Sequence, residues 1–152
     1  MDDGNATAAL YRKIGEASAD AIIFADRAGL VRLWNRGAEL IFGYPAAEAI
    51  GQSLDIIIPE RLRDAHWRAF DQSLQSGETK YTDRVLTTRS MHKNGSRLYV
   101  DLSFGLVKDE NGHPLGAFAI GRDCTARYLA DGAQKTRIAT LEARLTGAPA
   151  QD

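Results

Sequence analysis

The 152 residues carry 19 lysines and arginines against 20 aspartates and glutamates, a formal charge of −1. The chain thus lacks the basic surplus that a phosphate backbone demands, and nucleic acid is not an expected partner. Its one cysteine, Cys124, can build neither an internal disulfide nor a cysteine-cluster metal site, which suits a reducing compartment. No stretch approaches the roughly eighteen apolar residues of a membrane span, and the acidic start from Met1 to Asn5 has no apolar leader behind it; the expectation is a soluble cytoplasmic domain with terminal extensions and no membrane partner.

Ala6, Ala9, Leu10, Ile14 and Ala17 recur at helical spacing, which predicts a short amphipathic leader helix within residues 1–20. Ala21 to Ala25 is an apolar run of strand length, Asp26-Arg27-Ala28-Gly29 reads as a turn, and Leu30 to Trp34 returns as a second strand. Asn35 can cap a helix holding Ala38, Leu40, Ile41 and Phe42, which Gly43 closes; Pro45 opens a second short helix that Gly51 ends. Ile56-Ile57-Ile58 then passes through Pro59 and Glu60, both suited to a helix start, into a longer helix. On that helix Leu62, Ala65, His66, Ala69, Phe70 and Leu74 form one stripe, with Arg61, Arg63, Asp64, Arg68, Asp71 and Gln75 on the other side. His66 is therefore expected to point inward, beside Leu62 and Phe70.

Beyond Ser76-Gly77, Tyr81 to Met91 reads as a strand and Lys93-Asn94-Gly95 as a hairpin turn. Ser96 to Leu106 alternates, with Leu98, Val100, Leu102, Phe104 and Leu106 on an apolar face and Arg97, Tyr99, Asp101 and Ser103 on the other. A two-residue turn would put Val85, Thr87, Arg89 and Met91 on the apolar face, whereas one bulge would turn Arg84, Leu86 and Thr88 inward. Asp109 to Gly112 is a second turn before a last strand from Leu115 to Arg122. Asp123 and Thr125 can cap the tail helix that follows, on which Ile138, Leu141 and Leu145 have the step of a short coiled-coil seam. Two strands, then helices, then three strands imply an α+β fold with helices covering one face of an antiparallel sheet.

From Ala21 to Thr125 the chain resembles the PAS sensor family. The resemblance is carried, in the family's order, by Asp26 to Gly29, by Trp34-Asn35-Arg36-Gly37-Ala38-Glu39 and Phe42-Gly43-Tyr44, and by Glu48 to Gly51. His92-Lys93-Asn94-Gly95-Ser96 and Gly121-Arg122-Asp123-Cys124-Thr125 complete it. It implies a five-stranded antiparallel sheet with helices on one face enclosing a ligand pocket. The sensor domain would span 21–125, flanked by the leader and by a linker helix with a frayed tail over 126–152.

Within that family, Pro59 to His66 is similar to the segment that supplies the axial histidine of haem-containing oxygen-sensor domains. The resemblance implies haem b on His66, a diatomic gas as ligand, and a pocket wall that includes Ile57, Leu62, Phe70, Leu86, Leu102 and Phe104. Neutral imidazole between apolar neighbours suits haem iron. Such domains use an arginine of the long strand to donate to the gas. Arg84 is the candidate, although counting back from Asn94-Gly95 places Leu86 there, and Arg89 is a further candidate. Gln72 stands where a basic residue would meet a propionate. Flavin photoreceptors of the family resemble one another in an Asn-Cys-Arg segment where this chain has Gly51 to Asp55, so no flavin-thiol adduct is expected; Cys124 reads as an inert packing residue, and His92 and His113 as solvated hairpin-tip residues. No grouping suggests turnover chemistry, so the chain reads as a sensory domain, not an enzyme. Its output domain is not identifiable from the sequence. Two readings stay open: a haem gas sensor, and a cofactor-free PAS module acting by protein contacts or binding another small ligand. The terminal helices are the expected homodimer contacts.

Overall fold

The computed structural model describes residues 3–79 and 84–146. In order these form α1 (Asp3–Ala17), β1 (Ala21–Asp26), β2 (Val31–Trp34), α2 (Arg36–Phe42), α3 (Ala46–Ala49) and a 3-10 turn (Leu54–Ile57). Then follow α4 (Glu60–Ser76), β3 (Val85–Met91), β4 (Arg97–Lys108), β5 (Pro114–Asp123) and α5 (Thr125–Thr146). All strands pair antiparallel in the order β2-β1-β5-β4-β3. The α+β architecture is the one expected.

Local chemistry explains the short elements. Asn35 is buried, and its side-chain oxygen accepts from Ala38 N at 3.0 Å and Ile22 N at 2.8 Å, while its amide donates to the carbonyls of Gly15 and Asp20 at 2.7 and 2.9 Å. One side chain thereby caps α2 and ties it to β1 and to the end of α1. Gly43 closes α2 at φ +82°, the left-handed conformation that side chains avoid, with its N–H on the Glu39 carbonyl. Pro59 holds the position before the first turn of α4, without a side-chain capping bond, and Gly77 ends the helix at φ +72°.

The register of β3 on β4 is settled by the turn between them. His92 N bonds the Ser96 carbonyl across a three-residue Lys93-Asn94-Gly95 loop, and Gly95 takes φ +86°. Leu86 then pairs with Leu102, Thr88 with Val100 and Ser90 with Leu98. The two-residue turn is thus replaced, and the arrangement that directs Leu86 and Thr88 inward is the one formed. Tyr81 to Asp83, included in the expected strand, lie outside the described residues.

The helical stripe also differs from its expectation. Phe70 and Leu74 are buried and Leu62, His66 and Trp67 half-buried, but Ala65 and Ala69 are exposed. The helix is rolled toward Trp67, because an indole has far more apolar surface to remove from water than a methyl group. His92 is half-buried rather than solvated: its ring lies where a Gly43 side chain would stand, and Lys93 N bonds the Phe42 carbonyl.

Two buried clusters occupy the space between helices and sheet. The larger holds Ile23, Val31, Trp34, Phe42, Ile57, Leu98, Val100 and Leu102; the smaller holds Ala25, Phe70 and Leu74. The candidate site lies where these clusters part.

Candidate ligand site between α4 and the sheet

A cavity of about 480 Å³ lies among the C-terminal half of α4 and strands β3, β4 and β5, and a smaller one of about 160 Å³ continues toward β1 and the 3-10 turn. The larger volume falls within the range typical of cofactor and ligand sites, roughly 300–1,000 Å³. His66, Phe70, Thr88, Phe104 and Ala117 line both, so His66 stands at the junction of the two spaces.

The walls follow from the fold. Alternation along β4 brings Leu102 and Phe104 to the face turned toward α4, and the three-residue hairpin turn brings Leu86 and Thr88 beside them. Ile57, Leu62 and Leu102 line the smaller space; Leu86 and Leu106 line the larger. The rim of the larger space is polar, formed by Gln72, Ser73, Ser76, Glu78 and Thr79. No lysine or arginine is among its described lining residues.

His66 is the chemically distinctive member. Its Nδ1 is buried with no hydrogen-bond partner, an arrangement that ordinarily costs about 1–3 kcal/mol. Burial pushes its pKa below the usual imidazole value, and the Asp55 carboxylate offsets part of that effect. The ring is therefore biased toward the neutral form, which is the form that binds metal. Its aromatic neighbours are Trp67, edge-on at 4.7 Å, and Phe70, stacked at 6.1 Å.

Of the residues expected at the site, His66, Phe70, Leu86 and Phe104 meet in the larger space, and Ile57, Leu62 and Leu102 join His66 in the smaller. Arg84 is exposed, precedes β3 and lines neither. Arg89 is half-buried beside the smaller space, with its Nε unpartnered. Cys124 is buried at the end of β5 and lines neither space; its thiol donates to Asp101 at 3.4 Å, and burial raises its pKa. Among the described residues, no three histidine, cysteine or acidic side chains gather as a metal site, so a metal here would depend on His66 and a prosthetic group. Sequence reasoning missed Trp67. Its indole N–H donates to Asp55 Oδ1 at 2.8 Å, a partner on a different element, and the one available signal was a large ring adjoining the histidine.

The family pattern described as the PAS fold matches residues 9–124. The chain belongs to the PAS family. This PAS domain is 31% identical over 102 residues to an uncharacterized protein of Azorhizobium caulinodans, covering 66% of this chain and 14% of that protein. It is 40% identical over 55 residues to the sensor protein FixL of Bradyrhizobium diazoefficiens, covering 36% of this chain and 11% of FixL. With the oxygen sensor protein DosP of Escherichia coli it shares 28% identity over 80 residues, covering 53% of this chain and 10% of DosP. The matches thus span only a small part of each relative. Among solved structures, a PAS domain from Colwellia psychrerythraea superposes with a TM-score of 0.69 at 23% identity, covering 79% of this chain and 98% of that one. An RNA-binding Light-Oxygen-Voltage receptor superposes at 0.72 with 17% identity, covering 96% of this chain and 40% of the receptor. At these identities the structural likenesses speak for the PAS fold alone.

Proposed function

We propose that this PAS domain is a gas-sensing module that holds haem b through His66 and reads O₂ or another diatomic ligand to control a linked or partner output domain. The observation that carries this reading is the neutral-biased imidazole of His66 at the junction of two largely apolar spaces. The similarity to FixL and to the oxygen sensor DosP supports the same choice. In this reading His66 supplies the axial nitrogen, and Phe70, Leu86, Phe104 and Leu106 supply apolar walls. The hydroxyl of Ser73 and the amide of Gln72, at the polar rim, would be the groups to face the propionates. The haem iron supplies the gas-binding chemistry; the chain supplies the ligand nitrogen, the dry walls and the shape. Leu86 and Thr88 of β3 line the larger space and Arg84 does not, so in this reading those two side chains would be the β3 neighbours of a gas bound there.

A cofactor-free module acting through protein contacts is favoured by a separate observation, the exposed Leu10, Tyr11 and Ile14 of α1 and Ile138, Leu141 and Leu145 of α5. The two readings are separable by spectroscopy. Protein produced with sufficient iron and haem precursor should be coloured, with a Soret band that moves on reduction and again with carbon monoxide. His66→Ala should lose that band while keeping the far-UV dichroism of the fold. Colourless wild-type protein that also fails to take up added haemin overturns the haem assignment.

A further inference from the structure

Trp67 occupies a position that neither the sequence pattern nor the family comparison assigns. It is the residue after His66 on α4, yet its indole N–H reaches back to the 3-10 turn and donates to Asp55 Oδ1 at 2.8 Å. Its six-membered ring lies against the turn between β1 and β2, so closely that a side chain at Gly29 would stand 2.3 Å from Trp67 Cη2. Gly29 itself sits at φ +80°. The indole is therefore held at both ends, by a polar partner on one element and by backbone with no side chain on another. Asp55 is held in turn: its N–H donates to the Ser53 hydroxyl at 3.1 Å, and its carbonyl accepts from Arg63 Nη2 at 3.2 Å.

A ring fixed in this way constrains whatever it touches. Trp67 meets the imidazole of His66 edge-on, at 4.7 Å and 80°, and meets Phe70 at 5.2 Å and 78°. Phe70 stacks at 30° on the other neighbour of the set, His66. Edge-to-face contacts are directional, because a ring's positive edge seeks a negative face. No hydrogen bond holds the imidazole through Nδ1. Metal-binding histidines are usually oriented by a bond from their second nitrogen; here that orienting bond is absent and an anchored aromatic pair surrounds the ring instead.

We infer that Trp67, tied to Asp55, is the positioning residue of the site: it sets the plane of the His66 imidazole for the group bound in the cavity. The inference rests on the haem reading for its ligand, and its orienting part is measurable without any ligand. Trp67→Phe keeps an aromatic ring but removes the N–H; Asp55→Ala removes the acceptor. Each should weaken haem binding roughly 10-fold or more, as loss of an orienting partner does at metal sites. Each should also broaden or shift the iron–histidine stretching band of the reduced protein. Because both substitutions break one bond, the double variant should lose little more than either single one. A purely structural Trp67 would instead cost stability with haem affinity and the iron–histidine band unchanged, and that result overturns the inference while leaving the haem reading intact. Should the protein take no haem, the haem reading falls, and the inference is decided on the ligand-free protein by NMR. The His66 ring C–H signals should be sharp and single in the wild type and should broaden or move in both variants, and unchanged signals refute the positioning role.

Discussion

Burial disfavours the imidazolium of His66, and the Asp55 carboxylate recovers only part of that loss. The sign of the pH dependence follows. The unfolded chain, with an ordinary imidazole pKa of about 6.5, takes up its proton before the folded protein does. Stability contributed by neutral His66 is complete above that value and is lost as the pH falls through the window between it and the lowered folded pKa. One proton cannot make the slope steeper than about 1.4 kcal/mol per pH unit. Denaturant unfolding of the ligand-free protein should therefore lose stability between neutral pH and the onset of carboxylate titration, and His66→Leu should flatten that loss. His92 and His113 are present in both proteins and cancel. Parallel curves for the two would show that His66 is not the titrating group.

Caps, turns and strand alternation were legible in the sequence because each is decided within a few residues. Asn35, Gly43 and the Leu98 to Leu106 face needed no tertiary knowledge. The β3 register was not legible, since Lys93-Asn94-Gly95 is compatible with a loop of two or three residues, and one residue of slip exchanges Leu86 for Val85 on the inner face. Trp67 was missed for a similar reason: its partners Asp55 and Gly29 lie on other elements, and a helical wheel sees neither. Asn35 tests how far the short elements depend on one another. Asn35→Ala removes the α2 cap and strips partners from Ile22 N and the carbonyls of Gly15 and Asp20. Loss of a cap costs about 1 kcal/mol and each buried unpaired group about 1–3 kcal/mol. Because three of the four bonds are only part-buried, we expect destabilisation of about 1–3 kcal/mol, read as a drop in denaturant midpoint, with Asn35→Asp intermediate because it keeps the acceptor. A loss near that of an ordinary surface substitution, within about 0.5 kcal/mol, would show that α1 and α2 are held by other contacts.

At the scale of the whole molecule, the site and the tail helix meet at Asp101. Thr87, between the cavity residues Leu86 and Thr88, donates to Asp101 Oδ1 at 2.6 Å, and Arg127 of α5 pairs with Oδ2 at 2.6 Å. Those two partners hold the Asp101 carboxyl below its usual pKa, the Thr87 bond contributing most. Thr125 adds a second tie: its hydroxyl accepts from Tyr99 N at 2.9 Å, and Asp123 caps its backbone N–H at 2.8 Å. A shift of β3 on ligand binding would thus reach the start of α5 through a hydroxyl, a carboxylate and a guanidinium. Such a shift needs a receiver, and α5 has the surface for one. Among its residues of described burial none is buried, and Ile138, Leu141 and Leu145 are 49%, 47% and 87% exposed at seam spacing. Among the described residues no helix is long and apolar enough to cross a membrane, so the stripe is not a span. A second copy of α5 is the occupant we expect. Sedimentation of the full chain against residues 1–125 decides it: the full chain should associate and the truncated one should not. Charge at the seam, in Ile138→Lys with Leu141→Lys, should reproduce the truncation without shortening the chain. If the full chain stays monomeric at high concentration, α5 is no dimer seam, and a signal passing Asp101 must leave by the exposed α1 stripe or another surface.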